Sequence, residues 1–292
     1  MMDLQGGWNM NAFIVILLVL AGLLLLFIWA VHPDRRGREK SLIFSGNNFA
    51  HRGLWDLPRG IAENSLPAFR AAVENGYGIE LDVHLTKDGR LVVFHDDTLD
   101  RICGIPGTVE SKSYDELKAL PLSGTALHMP LLSDVLNIVS GEVPLLIELK
   151  LPGTDCSLCE RVMDLLSSYC GRYLIESFNP FALLWFRIHH PEIPRGQLSS
   201  RYSPSLGLNP LVKIASTTLV ENVLSRPHFI AYNHKADNVL GLRICRRIFH
   251  APCFAWTVRS ETDARQCSSR YDAIIFEHFL PALPDRSEPS AA

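Results

Sequence analysis

The chain has 292 residues, of which 47% are hydrophobic, and a formal net charge of −3. This length fits one membrane segment followed by a single globular body, within the ~200 to 400 residues of one α/β barrel. The nearly neutral charge excludes the basic footprint that nucleic-acid-binding domains carry, and we expect no nucleic-acid partner.

An apolar run without a single charged side chain occupies residues 12–31. At about 1.5 Å per residue, this run makes a helix about 30 Å long, which is enough to cross a bilayer core. A cleaved signal peptide is the alternative, but no basic segment precedes the run and no clear cleavage site follows it. A buried core helix rarely lacks a polar face over such a length. The sequence therefore predicts a transmembrane helix at 12–31, after an N-terminal segment at 1–11.

Basic residues follow this predicted span and none precedes it; they are Arg35, Arg36, Arg38 and Lys40. Because Lys and Arg stay on the cytoplasmic side of membranes, this asymmetry predicts a single-pass protein with a cytoplasmic body. Seven cysteines, an odd number in no disulfide-like spacing, also suit a reducing compartment. The opposite orientation stays open because the leading segment is short.

The body at 47–279 follows a polar segment at 32–46, where we expect a linker. It begins with a strand at 48–51 and a helix that Asn64 or Ser65 caps and that ends near residue 75. A strand at 78–85 and a strand at 91–94 are joined by an Asp-Gly turn, which is a hairpin signal. Residues 97–131 have mixed polarity and one helical piece near 114–120, and such a long excursion is typical of functional segments.

From residue 131 onward, helices and strands alternate. The predicted strands are 145–150, 173–178, 196–199, 229–232, 253–258 and 273–276. Strands that alternate with helices indicate a parallel sheet, and about eight such units indicate closure into a (β/α)₈ TIM barrel with a small insertion at 97–131. An open doubly wound sheet is the second choice, but no Gly-rich phosphate loop follows any strand. The Pro- and Ser-rich residues 280–292 are predicted to be disordered.

Three acidic residues lie near the ends of predicted barrel strands. Glu80 and Asp82 share one face of their strand, and Glu148 shares a face with Lys150 on a later strand, because side chains alternate with period two. Buried carboxylates are costly unless they are paired or bind a metal. Three oxygen ligands suit a hard cation such as Mg²⁺ or Ca²⁺, and no His pair or Cys set indicates zinc. A salt-bridge network with Arg52 and Lys150 is the alternative.

Two histidines, His51 and His95, end strands beside these acids. A lone histidine in such a place is more often structural than catalytic. Two of them beside an acidic cluster can act as acid and base, each contributing about 10² to 10⁴ in rate. Arg52 and Lys150 offer positive charge to an anion such as phosphate. The set favours cleavage of a phosphorus ester.

These motifs together resemble the glycerophosphodiester phosphodiesterase family, whose members are metal-dependent (β/α)₈ barrels. The resemblance extends from about Asn48 to Ile275. It rests on many motifs in one order: His51-Arg52-Gly53, Glu63-Asn64-Ser65, Glu80-Leu81-Asp82-Val83, Thr86-x-Asp88-Gly89, His95 to Arg101, Pro130 to Leu136, Ile147-Glu148-Leu149-Lys150, Ser177-Phe178 and Trp256-Thr257-Val258. The sequence departs from the family pattern at Ser65, at Arg259, and at Phe276-Glu277, where a Thr-Asp pair is usual.

The resemblance implies a role for each candidate residue. Glu80, Asp82 and Glu148 would bind the metal, His51 and His95 would be the acid–base pair, Arg52 and Lys150 would hold the phosphate, and Phe178 and Trp256 would form an apolar wall for the glycerol. The reaction implied is hydrolysis of a glycerophosphodiester to sn-glycerol 3-phosphate and an alcohol. In the family mechanism the glycerol 2-hydroxyl attacks phosphorus, and water then opens the cyclic phosphate.

Two other functions stay open. Membrane tethering makes a lysophospholipid substrate plausible, with lysophosphatidic acid as the product. A catalytically silent, membrane-bound lipid-binding protein is the third possibility, although the presence of all seven polar site residues argues against it. The sequence indicates neither the alcohol group nor an oligomeric state.

Overall fold

The computed structural model describes residues 5–202 and 209–283, with side chains from residue 10 onward. Its strands are β1 (Asn48–His51), β2 (Gly78–Leu85), β3 (Leu91–Val93), β4 (Leu145–Leu149), β5 (Tyr173–Ser177), β6 (Arg195–Ser199), β7 (Phe229–Asn233), β8 (Cys253–Val258) and β9 (Ala273–Phe276). Its α-helices are α1 (Gln5–Val31), α2 (Arg38–Leu42), α3 (Leu66–Glu74), α4 (Asp100–Cys103), α5 (Tyr114–Leu117), α6 (Leu132–Val139), α7 (Ser157–Leu166), α8 (Pro180–His189), α9 (Pro210–Thr218), α10 (Asn222–Ser225), α11 (Leu240–Arg247) and α12 (Glu261–Ser268).

Eight of these strands close into a parallel barrel in the order β1-β2-β4-β5-β6-β7-β8-β9, and β9 pairs with β1. The predicted TIM barrel is therefore confirmed. We call the end where the barrel strands begin the closed end, and the end where they finish the mouth. In this fold the reacting groups lie at the mouth, because the loops after the strands gather there.

Apolar side chains fill both layers of the fold. The barrel interior holds mainly aromatic and aliphatic residues, among them Phe49, Leu146, Phe229 and Phe254. The outward faces of the strands pack against the helices in a larger cluster. Both faces of each strand are buried, which explains why the strands appear as nearly continuous apolar runs in the sequence. Polar side chains on inward faces therefore stand out as candidates for function.

The insertion at 97–131 packs around an apolar cluster of its own beside the mouth. Its buried members include Leu99, Ile102 and Leu117, together with Phe94. Strand β3 is antiparallel to β2 and lies outside the barrel ring, so the Asp-Gly turn forms a hairpin as expected. The segment contains α4 as well as the expected helical piece at α5.

Helix α1 contains the whole predicted span. It is the one helix in the described residues that is long and apolar enough to cross a membrane, with a mean hydropathy of 3.2 over its most apolar part. Its side chains at 10–26 are exposed, whereas Ala30 and Val31 at its end are buried. Helix α1 therefore leaves the barrel and contacts it only through its last turns.

Residues 32–46, expected as a linker, form a 3₁₀ turn and α2 and lie against the closed end. The side chain of Phe44 is buried and joins the apolar cluster of the barrel interior, where a side chain of this size contributes about 1.5–3 kcal/mol. At the other terminus, the carbonyl oxygens of Pro281 and Ala282 accept hydrogen bonds from Tyr77 and Asn48. The rest of the predicted disordered segment, at 284–292, lies outside the described residues.

Candidate active site

Three carboxylates meet inside the barrel near the mouth. Glu80 and Asp82 lie on β2 and Glu148 lies opposite Asp82 on the neighbouring strand β4. Oxygen atoms of all three lie within 4.8 Å of one another, and all three side chains are buried. The structure thus brings together the three acids that the sequence proposed as one cluster.

Two cations and an amide contact this carboxylate cluster. The Lys150 Nζ lies 2.9 Å from Asp82 Oδ1 and 2.6 Å from Glu148 Oε1. The backbone N–H of Arg52 donates to Glu80 Oε2 at 3.0 Å, and the Asn64 amide donates to Asp82 Oδ2 at 2.8 Å. The alternative salt-bridge reading is therefore partly realised, because Lys150 pairs with two of the three acids.

The three carboxylates of the cluster face two cationic side chains, Lys150 and Arg52. Burial raises the pKa of Glu80 well above its ordinary value, and the negative charges of Asp82 and Glu148 add to the increase. Burial also acts on Asp82, but Lys150, His95 and Arg52 outweigh it and hold its pKa well below the ordinary range. Three buried carboxylates whose oxygens lie close together are the hard ligands that Mg²⁺ and Ca²⁺ prefer. The donor set therefore fits a divalent cation.

One histidine is held by a carboxylate from the neighbouring strand. His51 ends β1, and its Nδ1 lies 2.6 Å from Oε2 of Glu277, which directly follows β9. Because a carboxylate only accepts, Nδ1 carries the proton and Nε2 is left to face a ligand. Burial lowers the pKa of His51 to about 4, although Glu277 opposes that lowering. The other oxygen of Glu277 accepts from Arg259 Nε.

The second histidine has a carboxylate partner too. His95 Nδ1 lies 2.6 Å from Oδ1 of Asp96, and Arg101 binds the other oxygen of Asp96 at 2.6 Å. Arg101 also contacts both oxygens of Glu63, whose Oε1 accepts from Arg52 at 2.7 Å. Arginine 101 of the insertion therefore links His95 to the loop that follows β1.

The Arg52-Gly53 turn directs a guanidinium into this site. Arg52 adopts a positive φ of 60°, and Gly53 follows with φ of 81°. A Cβ at Gly53 would lie 2.8 Å from the backbone of Ala68 in α3, so only glycine fits there. The buried Nε of Arg52 lies 3.8 Å from Asp82 Oδ2 and has no hydrogen-bond partner among the residues described. An unused buried donor of this kind suits an anionic ligand.

Two aromatic side chains stand on the other side of the mouth. Phe178 follows β5 and Trp256 lies on β8, and their rings meet edge-on with centroids 5.6 Å apart. Both are partly buried against the cluster of the barrel interior. The two residues predicted to form an apolar wall for the glycerol therefore lie side by side and also contact the core.

Sequence reasoning missed several residues of the site. Glu277 and Asp96 orient the histidines, Asn64 contacts Asp82, and Arg101 joins the network. Glu176 on β5 lies opposite Glu148, with one carboxylate oxygen unpartnered within the described part of the chain. Burial and the charges of Glu148 and Asp82 raise its pKa well above the ordinary value. The sequence does carry a signal for Glu176, because it is a charged residue on the inward face of an apolar strand.

Two cavities flank the loop that follows β1. One, of about 590 Å³, is lined by apolar side chains that include Trp55, Ile61 and Phe279, and it reaches Glu277. The other, of about 580 Å³, lies between Trp55 and the insertion and reaches Glu63 and Arg101. The first cavity therefore reaches the carboxylate that contacts His51, and the second reaches the arginine that contacts Asp96.

Known proteins are similar to this chain in sequence and fold. The profile of the glycerophosphoryl diester phosphodiesterase family matches residues 51–280. A glycerophosphodiester phosphodiesterase of Bacillus altitudinis is 32% identical over 244 residues, which are 73% of this chain and 98% of that protein. The lysophospholipase D GDPD1 of Rattus norvegicus is 30% identical over 164 residues, 51% of this chain and 49% of that one.

Solved structures agree with these sequence matches. A phosphodiesterase of Oleispira antarctica, solved with the product sn-glycerol-3-phosphate, superposes with a TM-score of 0.65 at 24% identity, covering 81% of this chain and 94% of that one. A glycerophosphodiester phosphodiesterase of Parabacteroides distasonis gives 0.61 at 26% identity, with 80% and 93% covered. The chain therefore belongs to the glycerophosphoryl diester phosphodiesterase family and is a phosphoric diester hydrolase.

Proposed function

We propose that the protein hydrolyses glycerophosphodiesters to sn-glycerol 3-phosphate and an alcohol, with a divalent cation and two histidines. The observation that carries the proposal is the arrangement of His51 and His95. Each holds its Nδ1 on a carboxylate, which leaves Nε2 free, and they stand beside a buried carboxylate cluster. Paired groups of this type are what proton transfer to and from a phosphodiester needs.

Glu80, Asp82 and Glu148 would hold the cation, and Mg²⁺ and Ca²⁺ both match their oxygen ligands. Such an ion, when bound, stabilises charge on a phosphoryl oxygen and lowers the pKa of a coordinated hydroxyl. Lys150, held against two of the carboxylates, keeps a positive charge at the edge of the same site.

In the first step one histidine takes the proton of the glycerol 2-hydroxyl as that oxygen attacks phosphorus. The other histidine protonates the oxygen of the departing alcohol. The two then exchange roles while water opens the cyclic phosphate to sn-glycerol 3-phosphate. Glu277 and Asp96 would keep both rings in the tautomer that this exchange needs.

The phosphate would lie against Arg52, whose buried Nε has no hydrogen-bond partner among the described residues, and against Lys150. The glycerol would contact the apolar faces of Phe178 and Trp256 on the opposite side of the mouth. Planar guanidinium groups bind phosphate oxygens in pairs, so Arg52 would set the orientation of the diester.

A lysophospholipid is the second candidate substrate. The cavity of about 590 Å³ next to Glu277 is mainly apolar and has room for part of an acyl chain. The partial match to lysophospholipase D GDPD1 points in the same direction. This reaction would use the same residues and release lysophosphatidic acid instead of glycerol 3-phosphate.

The apolar helix α1 would serve as a membrane anchor with the barrel in the cytoplasm. The buried Val31 at its end is part of the packed helical layer, which argues against removal of α1 as a signal peptide. Active alkaline phosphatase fused after Ala292, with a dark fluorescent-protein fusion at the same place, would place the body outside the cytoplasm. We expect the alkaline phosphatase fusion to be inactive and the fluorescent-protein fusion to be bright.

The activity itself is tested with purified full-length protein in detergent, using glycerophosphocholine, glycerophosphoethanolamine and lysophosphatidylcholine with and without EDTA. We expect turnover that EDTA abolishes and that Mg²⁺ or Ca²⁺ restores. Replacing Glu80, Asp82 or Glu148 by Ala should abolish turnover while the far-UV circular dichroism of the barrel stays unchanged. Full activity of these variants in metal-stripped buffer would refute the assignment of the metal ligands.

A further inference from the structure

The segment between α1 and β1 is fixed to the closed end of the barrel, opposite the mouth. The backbone N–H of Asp34 donates to the carbonyl of Pro227 at 2.9 Å, and the Arg38 guanidinium donates to the carbonyl of His250 at 2.8 Å. These acceptors stand just before β7 and β8 begin. The chain that leaves the apolar helix therefore runs across the end of the barrel that carries no catalytic residue.

The last turn of α1 is itself held by α10 and α11. The carbonyl oxygen of the buried Val31 accepts from the Asn222 amide at 2.9 Å and lies 3.2 Å from the Cys245 thiol. Arg226 donates to the carbonyl of Trp29 at 2.8 Å, and its guanidinium lies 4.9 Å from the centre of the indole ring. Because these contacts fix the end of α1 to the barrel, the orientation of α1 in a membrane determines the orientation of the barrel.

The surface around this junction combines apolar and basic side chains. Ile188 ends α8, Leu224 lies on α10 and Ile248 follows α11; their exposed fractions are 64%, 36% and 51%. Basic side chains at the same end are exposed as well; they are Arg35, Arg36, Arg38, Lys40, Arg187 and Arg247, and they outnumber the exposed acidic residues Glu39 and Glu192. Apolar residues with a basic surround match the interface of an anionic leaflet, and this surface continues directly from α1.

We propose that the closed end rests on the anionic leaflet that α1 enters, so that the catalytic mouth faces the water. The inference rests on the proposed phosphodiester hydrolysis and on α1 as an anchor. It assigns the substrate class of the membrane-bound enzyme: water-soluble glycerophosphodiesters, and not lysophospholipids that lie in the same bilayer.

The dimensions of the barrel separate the two surfaces. A five-residue strand such as β4 is about 16 Å long, and the carboxylate cluster lies at its far end from the docking surface. A lysophospholipid would have to leave the leaflet completely to reach Glu148. Exposed apolar residues also occur on the mouth side, at Leu57, Phe181, Leu211, Val212, Ile214, Leu240 and Leu280. In the proposed orientation they face away from the membrane that holds α1.

The orientation is tested by fluorescence with full-length protein in vesicles of phosphatidylcholine and phosphatidylglycerol. A polarity-sensitive probe is placed either on the exposed native Cys170, next to the closed end, or on Ala126→Cys at the mouth in a Cys170→Ser chain. The half-buried Cys103 and Cys156 are replaced by Ser in both. Lipids that carry a quencher at the headgroup should quench the Cys170 probe strongly and the residue 126 probe weakly.

Variants at the two ends of α11 provide a matched comparison. Arg247→Glu with Ile248→Ser alters the docking surface and should reduce quenching at Cys170. Arg243→Glu with Leu240→Ser makes the matching changes towards the mouth end of the helix and should leave the quenching at Cys170 unchanged. Equal quenching of both probes, or equal effects of both pairs, would overturn the proposed orientation.

The substrate class is tested in the same vesicles. External glycerophosphocholine should be hydrolysed at the rate found in detergent, whereas lysophosphatidylcholine in the vesicle should be hydrolysed more slowly than in micelles by an order of magnitude or more. Equal rates for vesicle and micellar lysophosphatidylcholine would refute the inference. If neither substrate is hydrolysed even in detergent, the proposed function fails, while the probe measurements still decide the orientation.

Discussion

Glu277 positions the ring of His51, and replacing Glu277 by Gln tests this arrangement. The two groups lie 2.6 Å apart in a part of the mouth that is largely buried. A hydrogen bond to a charged group contributes about 1.5–3 kcal/mol. Glutamine keeps a neutral hydrogen bond of about 0.5–1.5 kcal/mol, so about 1–1.5 kcal/mol is lost. At about 1.4 kcal/mol per factor of ten, kcat should fall about 5- to 13-fold. The decrease in kcat cannot exceed the decrease caused by removing His51 itself, which is about 10²- to 10⁴-fold.

A pH profile separates this positioning role from a general loss of structure. Burial lowers the pKa of His51 to about 4, and the charge and hydrogen bond of Glu277 oppose the lowering. Glutamine at this position keeps a hydrogen-bond acceptor but not the charge, so the pKa of His51 should fall further. The acid limb of kcat/KM that requires neutral His51 should therefore move to lower pH, while KM for glycerophosphocholine changes little.

Arg259→Gln is the matched control, since Arg259 contacts the other oxygen of Glu277 from a half-exposed position. Exposed ion pairs contribute about 1 kcal/mol or less, so kcat should fall only a few-fold in this variant. If Glu277→Gln kept kcat close to that of the unaltered protein while His51→Ala lost it, Glu277 would have no role in holding His51.

Other predictions follow from the same contacts. His51→Ala and His95→Ala should each lower kcat by about 10² to 10⁴, and the double variant should lose less than the product, as measured by a double-mutant cycle; additive losses would contradict paired action. Burial and the charge of Arg195 lower the pKa of His228 to about 3, so below pH ~6.5 the unfolded chain binds a proton there that the folded chain does not. The free energy of unfolding should therefore fall by about 2–3 kcal/mol more in the unaltered protein than in His228→Gln when the pH is lowered from about 7 to 4.5. Denaturant titrations measure this difference, and an equal pH dependence of the two proteins would contradict it.

Much of the fold follows from local patterns. The bounds of β1, β2, β8 and β9 agree with the sequence-based strands, because each is a short apolar run between turn residues. The inward-facing acids could be found for the same reason, since alternation places Glu80 and Asp82 on one face. The helix after β1 begins as expected at its Ser65 cap, whose hydroxyl accepts from the Ala68 N–H.

The rest depends on contacts between distant parts of the chain. His51 and Glu277 are separated by 226 residues, and neither residue indicates its partner from local pattern. Residues 32–46 appeared polar and loop-like, yet Phe44 in that segment is buried at the end of the barrel. The apolar triplet Leu42-Ile43-Phe44 is too short to show a helix or strand period, so it does not predict packing of this kind.

The structure also connects two departures from the family pattern that looked unrelated in the sequence. Arg259 stands where asparagine is common, and Glu277 stands in place of the aspartate of a Thr-Asp pair. The Arg259 Nε contacts one oxygen of Glu277, while His51 contacts the other. A glutamate is one methylene longer than an aspartate, and Arg259 contacts the oxygen of Glu277 that His51 leaves free. The two departures therefore lie in one network with His51, because the carboxylate of Glu277 joins Arg259 to the histidine at the end of the last barrel strand.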